Sequence, residues 1–306
     1  MQNKRVENKI IKKIGRVVLI GRPNTGKSSL LNAIMSQKVA ITSPLPQTTR
    51  KNSRVVYSDQ RGQIIFSDTP GIMGKVTDLI GKRINQEAPK ELNQADVILC
   101  VVDISRPKNE EENKVIGLLR KINVKKILVY NKIDIAKDNK DHLPEYNYLE
   151  EEFDKTIGVS AIKDKNVKGL INLIFELLPE KINKETERNI ELMDNGNKPK
   201  IGMSSKEYVQ EIIREKAYLF LREEVPYSVD VRVDSITDKR KMLVIKAVIL
   251  TTAERYKKMI IGRGGKKIKE IGYNARKELE LMSGKKVFLE LMVEIDSHWM
   301  EREINN

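Results

Sequence analysis

Residues 21–28 read GRPNTGKS, between a short apolar run, Arg16 to Ile20, and a segment with helical spacing, Lys27 to Ser36. No other stretch limits the fold as strongly. A strand that ends in a glycine-rich turn and passes directly into a helix gathers backbone N–H groups and the positive helix end around one point, which is the geometry that holds a phosphate. Gly21, Arg22, Pro23, Asn24, Thr25 and Gly26 form the cradle. Lys27 is placed to bridge the β- and γ-phosphate oxygens of a nucleotide, Ser28 to ligate Mg²⁺, and Ser29 continues the helix behind them. Such a loop requires an α/β fold with a largely parallel sheet to carry it.

The residues that follow supply that sheet. Strand patterns run from Arg16 to Ile20, Arg54 to Tyr57, Gln63 to Ser67, Val97 to Asp103, Lys126 to Asn131 and Thr156 to Ser160. Only the residues around Asp59 to Gly62 separate the second from the third, too few for a helical crossover, so this pair forms an antiparallel hairpin in an otherwise parallel sheet. Helix-length segments between the others cover Lys27 to Ser36, Thr77 to Gln94, Asn109 to Ile122 and Val167 to Leu178. A chain of 306 residues accommodates about two domains at roughly 150 residues each. The polar run after Pro179 divides them: a nucleotide domain over 1–180, a connection over 181–204, and a second domain over 205–306.

The base and the γ-phosphate have their own candidates. NKID, Asn131 to Asp134, ends an apolar strand, where open α/β sheets place their ligand loops. The Asp134 carboxylate accepts from N1–H and the 2-amino group of guanine, whereas adenine would meet it with a lone pair. Lys132 lays its stem along the base, Asn131 braces neighbouring loops, and Ser160 and Ala161 bring a backbone N–H to guanine O6. DTPG, Asp68, Thr69, Pro70 and Gly71, ends the third strand; Asp68 holds Mg²⁺ through a water and Gly71 offers its N–H to the γ-phosphate. In the loop SPLPQTTR, Ser43 to Arg50, Thr49 is the preferred Mg²⁺ ligand while the γ-phosphate is present. Lys27, Thr49 and Gly71 are therefore candidate catalytic residues.

Composition narrows the partners. The net charge of +14 points to a polyanion, and its distribution favours nucleic acid over a general lysine bias. Nine Lys or Arg face only two Glu between Glu254 and Lys277, centred on GRGG, Gly262 to Gly265. A glycine tetrapeptide between two helices admits a phosphate backbone close to the main chain. Ile261, Gly262, Arg263, Gly264, Gly265, Lys266, Lys267 and Lys269 are the candidate RNA contacts. Around them a helix from Lys206, strands from Tyr227 and Met242, a helix from Arg255, a long helix to Leu281 and a last strand from Val287 make an α+β module. Cys100 as the single cysteine, with His142 and His298 the only histidines, excludes an intramolecular disulfide, a multi-thiolate zinc site and a serine–histidine triad as leading readings. Cys100 reads as a core thiol, the histidines as surface or packing groups, Met282, Met292 and Trp299 as core or interface filling, and Glu150 to Glu152 as a solvated helix face. The opening MQNKRVENKIIKKIGR lacks a secretory apolar core and no apolar run approaches bilayer length, so a cytoplasmic setting is expected.

The four nucleotide elements in this order resemble the translation-factor-like branch of P-loop GTPases, and the late GRGG loop resembles a type II KH module. Together with REEVPYS, Arg222 to Ser228, and IIGRGGKKIKEIG, Ile260 to Gly272, they make the chain similar over nearly its whole length to the Era family of bacterial GTPases. The resemblance implies slow intrinsic GTP hydrolysis, since Ile72 stands where signalling relatives carry a water-orienting glutamine. It also implies binding near the 3′ end of 16S rRNA in 30S assembly, GTP favouring the RNA-bound form, action as a monomer, and a peripheral association with the inner membrane. Asn24 resembles the phosphate-loop asparagine that ligates K⁺ in some relatives, which adds it to the catalytic candidates, against its reading as a turn residue. Two other functions stay open: an RNA chaperone with a weak GTP sensor, and a membrane-recruited signalling GTPase.

Overall fold

The computed structural model describes residues 13–42, 53–71, 79–135, 142–180, 200–201 and 204–305. The first half runs β1 (Lys13–Ile20), α1 (Lys27–Met35), β2 (Ser53–Asp59), β3 (Gly62–Asp68), α2 (Leu79–Asn93), β4 (Val97–Asp103), α3 (Glu110–Leu119), β5 (Lys125–Asn131), a 3-10 helix (Leu143–Glu152), β6 (Lys155–Gly158) and α4 (Val167–Leu177). The strands form one sheet in the order β6, β5, β4, β1, β3, β2, with β2 antiparallel to β3 and the rest parallel. β4, VILCVVD, is buried at every position, as a strand with helices on both faces must be. Leu19, Leu30 and Ile174 lie in the core on one face, Ile20, Cys100 and Val115 in the core on the other. Burial pushes the Cys100 thiol up to about 12, so it packs as a small apolar group.

A two-residue strand, β7 (Lys200–Ile201), pairs antiparallel with β2 and forms the sheet's outer edge. It lies in the stretch read from sequence as connection; two residues carry no period, so only their pairing reveals them.

The second half runs α5 (Ser205–Phe220), β8 (Val229–Lys239), β9 (Met242–Thr251), α6 (Glu254–Ile261), α7 (Lys266–Ser283), β10 (Lys286–Ile295) and α8 (Trp299–Asn305). Ser204 caps α5, its Oγ and backbone N–H exchanging hydrogen bonds with Glu207. β8 and β9 form an antiparallel hairpin, and the α6–α7 crossover returns the chain so that β10 lies parallel to β9. Ile212, Ala217, Ile249, Ile260, Ile271 and Ala275 pack between helices and sheet. The α8 helix was not foreseen, because its polar sequence has no apolar stripe; Trp299 and Met300 pack it against β9. Trp299 is buried against Val248 and Leu250, and its indole N–H donates to the Ser228 carbonyl at 3.2 Å. Met282 and Met292, at 44% and 46% exposure, lie outside the buried core on α7 and β10; Met282 Sδ accepts from the Tyr208 hydroxyl, beside Lys38.

The halves meet at a charged junction. Lys38, beyond the end of α1, pairs with Glu215 of α5 and Glu278 of α7, while Lys216 pairs with the same two carboxylates. Glu215 also accepts from the Thr42 backbone N–H at 3.3 Å.

Candidate functional site

Five loops converge at the C-terminal ends of β1, β3, β4, β5 and β6. Gly26 adopts φ 92°, and a side chain there would begin 2.3 Å from Asn131 Nδ2, so glycine lets the phosphate loop sit against the end of β5. Asn131 closes that contact: its Nδ2 donates to the Thr25 carbonyl at 2.8 Å and its Oδ1 accepts from the Ala161 N–H at 3.2 Å. Gly71 backs the loop from the other side, where a Cβ would lie 2.7 Å from Pro23 N. Asn24 is left-handed at φ 63°, Pro23 and Ser29 are half-buried, and Thr25 Oγ1 donates to the Arg22 carbonyl. Thr69 is a packing group whose hydroxyl donates to the Leu19 carbonyl at 2.6 Å; Pro70 beside it is buried.

Lys27 is buried, and its ammonium donates to the carbonyls of Gly21 and Arg22 at 3.1 and 2.9 Å. Burial pushes its pKa down to about 8, against the opposing pull of Asp68. An anion in the loop would restore what burial removes, which suits a phosphate. Asp68 is fully buried and burial raises its carboxyl above the usual range, with Ser28 and Lys27 opposing. Ser28 Oγ donates to Asp68 Oδ2 at 2.6 Å, while Oδ1 is buried without a hydrogen-bond partner. A hydroxyl and a carboxylate with an unsatisfied buried oxygen, both hard oxygen donors, fit Mg²⁺. Thr49 lies outside the described residues, as do the rest of its loop and Ile72.

At the base end, Asp134 is half-buried beyond β5; Ser160 is buried and its Oγ accepts from the Lys163 N–H. Lys132, at φ 67°, sends its ammonium to the Asn24 carbonyl at 3.0 Å and to Asp103 Oδ2 at 2.7 Å. Asp103 was missed in the sequence reading. Fully buried at the end of β4, it also holds Arg106, whose Nη2 donates to the Pro23 carbonyl. Burial alone would lift its carboxyl, but Lys132 and Ser105 outweigh burial and hold it below the usual range. Its position, an acid ending an apolar strand as Asp68 does, was the available signal. Arg22 turns its guanidinium away from the cradle into a buried pair with Glu112 of α3 at 3.1 Å, leaving only its main chain in the loop.

The second cluster lies at the head of α7. Gly262, Gly264 and Gly265 have φ of 69°, 61° and 74°. A Cβ on Gly262 would lie 2.7 Å from Lys267 Cβ, whereas one on Gly264 meets no protein atom within 4 Å, so that face of the turn is open to a ligand. Arg263, Lys266 and Lys269 are exposed around it, Lys267 pairs with Glu270 at 3.0 Å, and Ile261 packs partly against the core.

Known proteins resemble the chain in both halves. A family described as 50S ribosome-binding GTPase matches residues 16–132, and the KH domain family matches residues 224–300. GTPase Era of Halothermothrix orenii is 37% identical over 294 residues, covering 95% of this chain and 96% of its own. GTPase Era of Alkaliphilus oremlandii is 38% identical over 300 residues, covering 95% and 96%. Among solved structures, a variant of Aquifex aeolicus Era bound to GDP and aluminium fluoride superposes with a TM-score of 0.83 at 35% identity, covering 95% of this chain and 97% of the other. An Era protein in complex with MgGDPNP and nucleotides 1506–1542 of 16S rRNA gives 0.84 at 35% identity, covering 96% and 97%.

Proposed function

The chain belongs to the Era family of GTPases, and we propose that it uses the state of its bound nucleotide to time its grip on 16S rRNA near the 3′ end during assembly of the 30S subunit. The observation that supports this reading is the pairing, in one chain, of a phosphate cradle and NKID loop with an open, basic glycine turn at the head of α7. In this reading residues 1–180 form the GTP domain, 181–204 the connection and 205–306 the RNA-binding domain.

Lys27 spans the β- and γ-phosphates, the N–H groups of residues 21–29 surround them, and Asp134 selects guanine, with Lys132, Ser160 and Ala161 around the base. Ser28, Asp68 and Thr49 hold Mg²⁺, which neutralises charge on the β- and γ-oxygens when bound. Gly71 donates to the γ-phosphate, and Asn24 would hold K⁺, whose positive charge would offset the negative charge of the phosphates. The protein acts as a monomer in the cytoplasm, with peripheral membrane association; among the described residues no helix is long and apolar enough to cross a bilayer.

The test is to replace Arg263 and Gly264 together by aspartate. Two carboxylates at the open turn repel an RNA backbone while leaving the nucleotide site of the other domain untouched. RNA affinity should collapse with GTP binding intact; wild-type binding of 16S 3′-end oligonucleotides by this variant would remove the RNA half of the reading.

A further inference from the structure

Beyond the glycine turn, α7 carries a feature that neither the core nor the loop uses. Its core positions are Ile271, Ala275 and Leu279. On the opposite side Lys266, Lys269, Tyr273 and Lys277 follow at intervals of three and four residues, which align on one helical face, and all four are exposed. Tyr273 is 48% exposed, with Lys277 Nζ 4.6 Å and Arg276 Cζ 5.6 Å from its ring centroid. An aromatic ring flanked by cations, contributing nothing to the core, has the composition of a surface on which a base stacks while its phosphates are neutralised. It stands eight residues beyond Gly265, about 12 Å along the helix at 1.5 Å per residue.

We propose that Tyr273 is a base-stacking platform that lengthens the RNA site along α7. It takes one unstacked base of a single-stranded segment leaving the glycine turn, with Lys269 and Lys277 on the neighbouring phosphates. The inference rests on the RNA reading of this domain. A single strand is favoured over a duplex because paired bases are stacked on each other and offer a protruding ring no free face.

The experiment uses the full chain and anisotropy titrations over several KCl concentrations. The probes are a strand of about four nucleotides, the length that a glycine loop of this kind clamps, a strand of about ten from the 16S 3′ end, and a blunt RNA duplex. Tyr273→Ala should weaken the longer strand ~5- to 150-fold, with the salt slope unchanged and the short strand unaffected. Tyr273→Phe, which keeps the ring, should bind as wild type and shows that the helix tolerates substitution. Lys277→Gln should flatten the salt slope of the longer strand by roughly 0.7. Wild-type affinity in Tyr273→Ala, equal losses on both strands, or a loss confined to the duplex each overturns the platform. Wild-type RNA binding by the Arg263→Asp, Gly264→Asp variant is the separate outcome that overturns the RNA reading and the platform with it.

Discussion

Replacing Lys38 by methionine probes the junction between the two domains. Lys38 is the cation shared by Glu215 and Glu278, whose side chains are 3% and 17% exposed against its own 28%. Removing one partner of a fully buried pair costs about 3–5 kcal/mol, because a charge is left uncompensated, whereas an exposed pair is worth roughly 0.2–1 kcal/mol. The junction lies between these limits. Lys216 stays within 3.3 Å of Glu215 and remains paired with Glu278, and the Thr42 N–H still donates to Glu215. A loss of about 1–2 kcal/mol follows, and of that about 1 kcal/mol should appear as coupling in a cycle with Glu278→Gln.

Calorimetric unfolding is the assay, in which a change of this size should move a transition by about 2–4 °C per kcal/mol in a domain of 150–250 residues. Acid supplies a second arm. Burial alone would raise the Glu278 carboxyl, but Lys216 and Lys38 outweigh it and hold the carboxyl below its ordinary 4.5. The contribution is therefore fully present above that value and is lost as pH falls through the depressed folded-state value. Strict additivity of Lys38→Met and Glu278→Gln, with less than about 0.3 kcal/mol of coupling, would refute the reasoning.

Asp134→Asn should shift preference from GTP to xanthosine triphosphate, since the amide donates to the O2 that replaces the 2-amino group; competition binding with the two nucleotides measures it, and an unchanged GTP preference removes Asp134 from the base site. Hydrolysis should run faster in K⁺ than in Na⁺ at equal ionic strength, with the difference abolished by Asn24→Ala; equal rates in the two salts reject the K⁺ site. Glu112→Ala should destabilise the nucleotide domain by about 3–5 kcal/mol in urea titrations, because it strands a buried guanidinium at Arg22; a loss below about 1 kcal/mol contradicts the buried pairing.

What the sequence conveyed follows from how far each signal reaches. β4 was legible because seven consecutive buried positions demand seven apolar or capping residues, and α7 because an 18-residue helix repeats its apolar stripe several times. β7 and α8 were not, because each is placed by contacts distant in sequence: a pairing with β2 in the first case, and packing of Trp299 on β9 with α2 alongside in the second. The same distinction runs through the nucleotide site. Its cradle is local, so the identities of residues 21–28 announce it. The groups that hold the cradle are remote: Asp103 grips Lys132 and Arg106, and those two reach the Asn24 and Pro23 carbonyls from separate loops.

That remoteness bears on how the two sites are connected. Lys38 lies between the end of α1, whose first turn carries Lys27 and Ser28, and the loop that begins at Ser43. Its partner Glu278 lies on α7, the helix that the glycine turn opens. A shift of α1 on phosphate binding would therefore pull on a carboxylate of α7, and would exchange one ion pair for another within the cluster of Lys38, Lys216, Glu215 and Glu278. The coupling energy of such an exchange is bounded by the pairs involved, about 1–2 kcal/mol, or roughly 5- to 30-fold in RNA affinity between nucleotide states. Lys38→Met should therefore compress the difference in RNA Kd between the GTP-analogue and GDP forms. If that ratio is unchanged in the variant, the domains communicate elsewhere, and the contact of α2 with α8 is one such path.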